Sequence, residues 1–162
     1  MLIIDRLIRF IGNFSAVILV LLILLVVYDA LMRYLFHSGS IALQELEWHL
    51  FDVIILFGIA YTLQRSAHVR VDIFYEHFSI KTQAVVNMIS AIFFIAPLSF
   101  LIIYVGFEFV SLSFVQQEAS SNPGGLPYRF IVKSFMPIAF VLLLLQTGRE
   151  IVISYTLFRD AK

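Results

Sequence analysis

Long apolar stretches dominate the chain, and four of them are long enough to cross a membrane. They cover residues 11–36, 46–64, 83–115 and 130–158. A bilayer hydrocarbon core is about 30 Å thick, so a helix needs roughly 20 mostly apolar residues to span it. Strands of a membrane barrel alternate apolar and polar residues, whereas residues 18–25 are apolar at every position. The pattern predicts an all-α membrane protein with four transmembrane helices in one integral membrane domain, residues 1–162.

The third segment is longer than one crossing requires. Its 33 residues would form a helix about 50 Å long. Such a helix must tilt, bend at Pro97 or project beyond the bilayer. Glu108 lies well along this segment, and a charge there is inexpensive only near an interface or against protein.

Residues 2–10 precede the first span and carry both charged and apolar side chains. Asp5, Arg6 and Arg9 share one helical face, while apolar residues lie largely on the other. This pattern predicts a short amphipathic helix resting in the membrane interface, with a simple extension of the first span as the alternative. A signal peptide is not indicated, because Asp5 interrupts the charged region and no small-residue cleavage site follows.

The positive charges indicate an orientation. Cytoplasmic segments of membrane proteins carry an excess of lysine and arginine. Eight of the 11 such residues lie toward the two ends of the chain, counting Arg149 in the last part of the fourth span, or between the second and third spans. Both termini and the middle loop are therefore predicted to be cytoplasmic, and the loops at 36–45 and 116–127 are predicted to face outward.

Composition narrows the class of protein. Hydrophobic residues make up 61% of the chain and charged residues 14%, against about 45–50% and 25% in soluble domains. A soluble domain this small could not bury so much apolar surface, which excludes a soluble enzyme and a disordered chain. A formal net charge of +0 provides no broad basic face for nucleic acid. Without cysteine there are no disulfides, thiolate metal sites or cysteine nucleophiles.

Three polar residues fall on one face at the start of the second span. Glu45, His49 and Asp52 are spaced i, i+4 and i+7. They suit either a divalent metal or proton site, or an outer polar patch that pairs with Arg33 or contacts another protein. A metal site needs more convergent ligands than one helix face offers, so the polar patch is favoured. Glu47 lies on a different face.

Asp29 and Arg33 are i, i+4 neighbours near the outer end of the first span. A lone charge at mid-bilayer costs about 2.5–3.5 kcal/mol on insertion scales, and an internal pair near the interface costs much less. The pair is suited to bind a substrate anion, or to tie this helix to the second span or to a partner. The structural tie is favoured.

The remaining polar residues do not form catalytic or cofactor sites. The four histidines lie two on each predicted side, and none faces another at mid-membrane, so a haem- or quinone-holding anchor of a respiratory-type enzyme complex is only an alternative. An autonomous channel or carrier would show polar residues or broken helices near the midplane, where these spans are nearly bare. The pattern favours a scaffold subunit that is not an enzyme and carries no cofactor or metal.

Several motifs resemble one family over most of the chain. Residues 58–72, Gly-Ile-Ala-Tyr-Thr-Leu-Gln-Arg-Ser-Ala-His-Val-Arg-Val-Asp, resemble the signature after the second helix of small membrane (Q-type) subunits of tripartite ATP-independent periplasmic (TRAP) transporters. The end of the first helix, at residues 29–36, is similar to the same family, and so is Glu45 where the next helix opens. Residues 121–133, Ser-Asn-Pro-Gly-Gly-Leu-Pro-Tyr-Arg-Phe-Ile-Val-Lys, resemble one subgroup.

The resemblance implies a function. Such a subunit lies in the bacterial inner (cytoplasmic) membrane and pairs with a large membrane subunit that carries the sodium and substrate sites and moves as an elevator. A soluble periplasmic binding protein delivers an organic acid to the pair. The small subunit would enlarge the stationary frame and help dock the binding protein. Because the chain ends after the fourth span, it resembles the separate-subunit form.

The resemblance also suggests roles for polar residues. Arg70 and Asp72 are expected to lock the middle loop or bind the large subunit through charge-assisted bonds. The full set of candidate large-subunit contacts is Asp29, Arg33, His68, Arg70 and Asp72. Anionic phospholipid headgroups are the alternative partner for the loop cations, with Arg65 and Lys81 as candidates. A docking surface for the binding protein is expected to be polar, and its candidates are Glu45, Glu47, Glu118 and Asn122.

Overall fold

The computed structural model describes residues 2–65, 75 and 77–160. Most of these residues are helical. The helices are α1 (Leu2–Leu35), α2 (Ile41–Gln64), α3 (Ile80–Ser90), α4 (Ala96–Val115) and α5 (Arg129–Asp160), with a π-helical turn at Ala91–Ile95. Because α3, the π-helical turn and α4 form one continuous apolar helix, four helices are long enough to cross a membrane. This confirms the predicted all-α class with four transmembrane helices, and the described residues contain no strand.

Serine caps set where two of the helices begin. The Ser40 side chain accepts a hydrogen bond from the backbone N–H of Leu43 at 3.4 Å. Ser79 accepts one from the N–H of Thr82 at 3.2 Å. A capping hydroxyl satisfies an N–H that the first turn leaves without a partner. Both helices therefore start several residues before the apolar runs at 46 and 83 that mark them in the sequence.

The N-terminal segment is the first part of α1. Ile8 is only 1% exposed and packs with Ala60 and Leu142. Gly12 lies against the Tyr61 ring, which a Cβ at that position would overlap. Of the two alternatives for residues 2–10, the structure has the extension of the first span, because these turns pack against α2 and α5.

Pro97 explains the π-helical turn in the third span. Proline lacks an N–H and its ring clashes with the carbonyl four residues earlier, so it disturbs the regular hydrogen-bond pattern of a helix. The N–H of Ala96 instead bonds to the carbonyl of Ala91, five residues back. The wider turn absorbs the disruption without ending the helix. Further along, Glu108 is exposed on the surface of α4.

The helices are arranged as a row. α1 packs on α2, α2 on α5, and α5 on α3 and α4, while α1 reaches α5 only over a small area. Because each helix has few neighbours, most large apolar side chains remain exposed on the faces and edges of the row. The apolar core is thin and contains several alanines. In a membrane these exposed faces contact lipid or other protein.

Small residues allow the helices to approach closely. In α4, Ser99, Gly106 and Ser113 recur every seven residues and are all buried. A Cβ at Gly106 would lie 3.1 Å from the terminal methyl group of Met136 in α5. Helix pairs in membranes use small residues in this way because van der Waals contact drives their association.

Candidate functional site

In the described residues, ion pairs between different helices occur at two levels, which we call the Glu45 layer and the Asp5 layer. Glu45 pairs with Arg129 at one level, and Asp5 pairs with Arg149 at the other, where Gln64 also contacts Asp5. The layers are 19 residues apart along α2 and 20 along α5, or about 30 Å at about 1.5 Å per residue. This separation equals the approximate thickness of a bilayer hydrocarbon core, so the two layers are spaced as the two surfaces of a membrane would be.

In the Glu45 layer, one carboxylate holds the loop between α4 and α5. Glu45 Oε2 accepts the backbone N–H of Leu126 at 2.7 Å, and Oε1 accepts the Ser120 hydroxyl. The Arg129 guanidinium lies 3.4 Å from Oε1. These contacts join α2 to residues 75 to 84 positions away in sequence. We call residues 116–128 the clasped loop.

The shape of the clasped loop depends on two glycines. The N–H of Gly125 bonds to the carbonyl of Asn122 at 3.0 Å, closing a turn around Pro123. Gly124 has a φ of 80°, which suits glycine at the third position of a type II turn. A Cβ at Gly125 would overlap the Ser120 side chain and lie 2.8 Å from Glu45 Oε2. The turn at Asn122–Gly125 therefore brings the loop against Glu45.

A second ion pair anchors the beginning of the clasped loop. Lys133 donates a hydrogen bond to Glu118, and its ammonium lies 3.9 Å from the centre of the Phe109 ring. The hydrogen bond from Lys133 lowers the pKa of the Glu118 carboxyl below its usual range. The backbone adds a bond from the N–H of Arg129 to the carbonyl of Glu118 at 3.0 Å. Side-chain and backbone contacts therefore both connect the loop to α5.

A cavity of about 380 Å³ opens between α2, α5 and the clasped loop; its lining residues are Glu45, Trp48, His49, Asp52, Asn122, Arg129, Val132 and Lys133. A second cavity of about 310 Å³, also lined by Asp52, extends over apolar residues of α2, α4 and α5. Glu45, His49 and Asp52 thus share one face, as their spacing predicts. The predicted pairing of this patch with Arg33 is wrong for Glu45, because the loop brings Arg129 to it instead.

Asp29 and Arg33 form an ion pair at the end of α1. Asp29 is 1% exposed, while the side chain of Arg33 is about half exposed. Glu47, on α2, is close enough to interact electrostatically with both. One oxygen each of Asp29 and Glu47 is buried without a hydrogen-bond partner in the part of the chain that is described. These groups associate the ends of α1 and α2 and leave the Arg33 guanidinium accessible.

The Asp5 layer joins three helices. Gln64 donates to the backbone carbonyl and the carboxylate of Asp5 at 3.2 and 3.1 Å. Arg149 also donates to the Asp5 carboxylate, with one contact at 3.2 Å, and lies 3.2 Å from Glu150. Sequence reasoning missed this site because its residues come from α1, α2 and α5. The available signal was a group of polar residues at the predicted cytoplasmic ends of several spans.

The remaining residues predicted to contact lipid or a partner protein are either exposed or outside the described part of the chain. His68, Arg70 and Asp72 lie outside the described residues. Arg65 is exposed and donates a hydrogen bond to the Tyr61 hydroxyl at 3.2 Å. Lys81, a predicted headgroup contact, is exposed, and so is Asn122, a predicted contact of the binding protein. In the described ranges no group of three or more histidine, aspartate or glutamate side chains is arranged to hold a metal.

Four helices long and apolar enough to cross a membrane define a multi-pass membrane protein. In the described residues, the ion pairs between its different elements lie in the two layers. Residues 22–156 match the family described as Tripartite ATP-independent periplasmic transporters, DctQ component. Since this match covers most of the 162 residues, the chain belongs to that family and is a small membrane subunit of a TRAP transporter. No curated protein shows a significant match to the chain. The family is a transporter component rather than an enzyme family, and the predicted resemblance is confirmed.

Proposed function

We propose that this subunit is the stationary scaffold of a sodium-coupled, binding-protein-dependent TRAP transporter for an organic acid. The observation that carries the proposal is the row of helices, held at both membrane surfaces by ionic layers about 30 Å apart. A row exposes wide apolar faces to lipid and protein.

An elevator mechanism requires such a frame. The cargo domain of the large subunit would move across the bilayer, and the force it exerts would tilt a narrow support. Additional helices that match the bilayer thickness resist tilt because mismatch with the hydrocarbon core costs free energy. The two layers would hold this subunit at a constant depth while the large subunit binds sodium and substrate.

The clasped loop supports a second part of the proposal, the docking of the periplasmic binding protein. With the predicted orientation, this loop and the Glu45 layer face the periplasm. Glu45 and Glu118 are already engaged by the loop and by α5, so they would act mainly by holding its shape. Asn122 is exposed at the tip, and Glu47 lies on α2 close enough to interact electrostatically with Asp29 and Arg33. These polar groups would meet the binding protein in a transient, electrostatically matched contact.

For the large subunit, we propose contact at the Asp29–Arg33 pair and at residues 68–72, which follow α2 in the sequence. Asp29 orients Arg33 while leaving its guanidinium about half exposed, which suits an ion pair with a neighbouring protein. His68, Arg70 and Asp72 keep their proposed role in locking the loop or binding the large subunit. Replacing Arg70 with alanine should reduce co-purification of the large subunit.

The scaffold role can be tested by cysteine accessibility, because the natural chain contains no cysteine. Ser121→Cys in the clasped loop and Lys81→Cys at the start of α3 place reporters near opposite surfaces. In proteoliposomes holding both membrane subunits, a membrane-impermeant maleimide should label only Ser121→Cys from the periplasmic side. Its rate should not change when sodium and substrate are added. The binding protein is left out of this measurement, because docking on the clasped loop would itself shield Ser121→Cys.

A cysteine in the substrate-binding domain of the large subunit is the matched control, and its labelling should change with the same additions. Proteoliposomes holding only this chain should show no substrate flux. Sodium-driven flux through the chain alone, or a change in reporter labelling as large as that of the large-subunit cysteine, would contradict the scaffold role.

A further inference from the structure

A third cavity, of about 170 Å³, lies at the Asp5 layer and is rich in arginine. Its lining residues are Asp5, Arg9, Gln64, Arg65 and Arg149. The three guanidinium groups come from α1, from the end of α2 and from α5. The fold therefore brings together cations that are 56 and 84 residues apart in sequence.

Acidic groups in the described residues do not balance these three charges. Arg149 is paired with Asp5 and with Glu150. Arg65 contacts a neutral partner, the hydroxyl and ring of Tyr61. Arg9 has no hydrogen-bond or ionic partner in the described part of the chain and is exposed. The cavity thus holds two guanidinium groups without an acidic partner, and their mutual repulsion is relieved by binding an anion.

The position of the cavity indicates the source of the anion. The Asp5 layer lies about 30 Å from the Glu45 layer, so it is at the boundary between hydrocarbon and headgroups. Apolar side chains of α1 close to this level, including Phe10 and Phe14, are exposed and offer a surface for acyl chains. With the predicted orientation, this is the cytoplasmic surface, where anionic lipids attract basic residues.

We infer that this cavity binds the phosphate group of an anionic phospholipid. Arg9 and Arg65 donate charge-assisted hydrogen bonds to the phosphate oxygens. Arg149, oriented by Asp5, supplies the third wall. Arg65 is already predicted to contact lipid headgroups, and the cavity gives it a specific binding site. Arg9 and Arg149 are additional headgroup contacts that the sequence does not predict. The lipid site depends on the membrane-embedded fold but not on the scaffold role. The lipid site and the scaffold role can therefore be disproved independently.

Native mass spectrometry of the full-length chain in detergent can test the site. The protein is titrated with phosphatidylglycerol or with phosphatidylcholine, and the bound lipids are counted. We expect tighter binding of phosphatidylglycerol, and about five-fold weaker binding for each of Arg9→Gln and Arg65→Gln, since one basic residue near a membrane surface contributes about 1 kcal/mol. Arg6→Gln is the matched control, because Arg6 is exposed in the same part of α1 but does not line the cavity.

Arg9 and Arg65 are exposed, so their variants should keep the thermal unfolding temperature of the natural chain. Equal losses for Arg6→Gln and Arg9→Gln would overturn the inference, because general attraction to the surface would then account for binding. Unchanged binding in both cavity variants would also overturn it. A separate titration with inorganic phosphate tests whether the bound phosphate group belongs to a phospholipid or to free phosphate. If phosphate alone stabilises the natural chain as much as phosphatidylglycerol does, and Arg9→Gln abolishes the effect, the lipid is rejected as the source.

Discussion

At the Glu45 layer, a carboxylate on α2 holds a loop in shape, whereas at the Asp5 layer a carboxylate on α1 holds α2 and α5 together. Glu45 accepts a loop hydroxyl and a loop amide in addition to Arg129. Asp5 accepts side chains from two other transmembrane helices. The first arrangement presents a shaped polar surface beyond the membrane. The second stabilises the packing of the helices.

The layers also differ in their balance of charge. The cations of the clasped loop region, Arg129 and Lys133, are each paired with a glutamate. The cavity at the Asp5 layer has two arginines without an acidic partner in the residues described. A balanced layer suits contact with a protein of matched charge, while an excess of positive charge suits anionic headgroups. Four substitutions or changes of condition, in decreasing order of effect, test this division.

Breaking the Asp5 layer should reduce stability more than any of the other changes. Arg149→Leu removes the cation from Asp5 and should lower the free energy of unfolding by about 1.5–3 kcal/mol, as for hydrogen bonds to charged groups. Thermal unfolding in detergent measures the loss. Arg159→Leu, on the same helix, removes only an exposed pair with Asp160 and should have little effect. Equal losses for the two variants would show that the Asp5 layer does not hold the helices together.

Neutralising Glu45 should loosen the loop more than the fold. Glu45→Gln keeps the size of the side chain but weakens the charge-assisted bonds to Ser120, Leu126 and Arg129. We expect about ten-fold faster hydrogen exchange at the Leu126 amide and a higher binding-protein concentration for half-maximal uptake. Glu108→Gln is the control, because Glu108 is exposed on α4 and contacts nothing in the clasped loop. Unchanged exchange in Glu45→Gln would contradict the clasp.

Adding one methyl group at Gly125 tests the same clasp by sterics alone. Gly125→Ala should displace Ser120 and Glu45 and raise hydrogen exchange in the loop, by less than Glu45→Gln does because the carboxylate remains. Since no charge changes, the effect should be the same at low and high salt. Gly39→Ala is the control, because a Cβ there meets no atom within 4 Å. If the two alanine variants behave alike, the close approach at Gly125 has no structural role.

Acid should weaken the Glu118–Lys133 pair, with a smaller effect than the three substitutions. The pKa of Glu118 is lowered from its ordinary value of 4.5, chiefly by the hydrogen bond from Lys133. Its contribution to loop stability is therefore complete above pH 4.5 and is lost as the pH falls through the lowered pKa. Loop hydrogen exchange, corrected for intrinsic rates, should differ between natural chain and Glu118→Gln at pH 6, and this difference should shrink in acid. A difference that persists at acid pH would contradict the assignment.

Much of the fold follows from apolar run length, but the ionic contacts do not. The run around residues 18–25 predicts a spanning helix because a lipid environment requires about 20 apolar residues in succession. The spacing of Glu45, His49 and Asp52 correctly predicts a shared face. It does not predict that Glu45 meets Arg129, since that contact depends on the turn at Pro123–Gly124. For Asp29, the nearby Arg33 is visible in the sequence because both lie on one helix.

The number of spanning helices and the family can both be read from the sequence, because they depend on local composition and short motifs. The three-dimensional structure was needed to show that the helices form a row, that α1 is continuous from Leu2 and that Asp5 meets Arg149. Local patterns report which face of a helix is polar but not which distant helix lies opposite. That choice depends on the closest packing that small residues such as Gly12 and Gly106 permit.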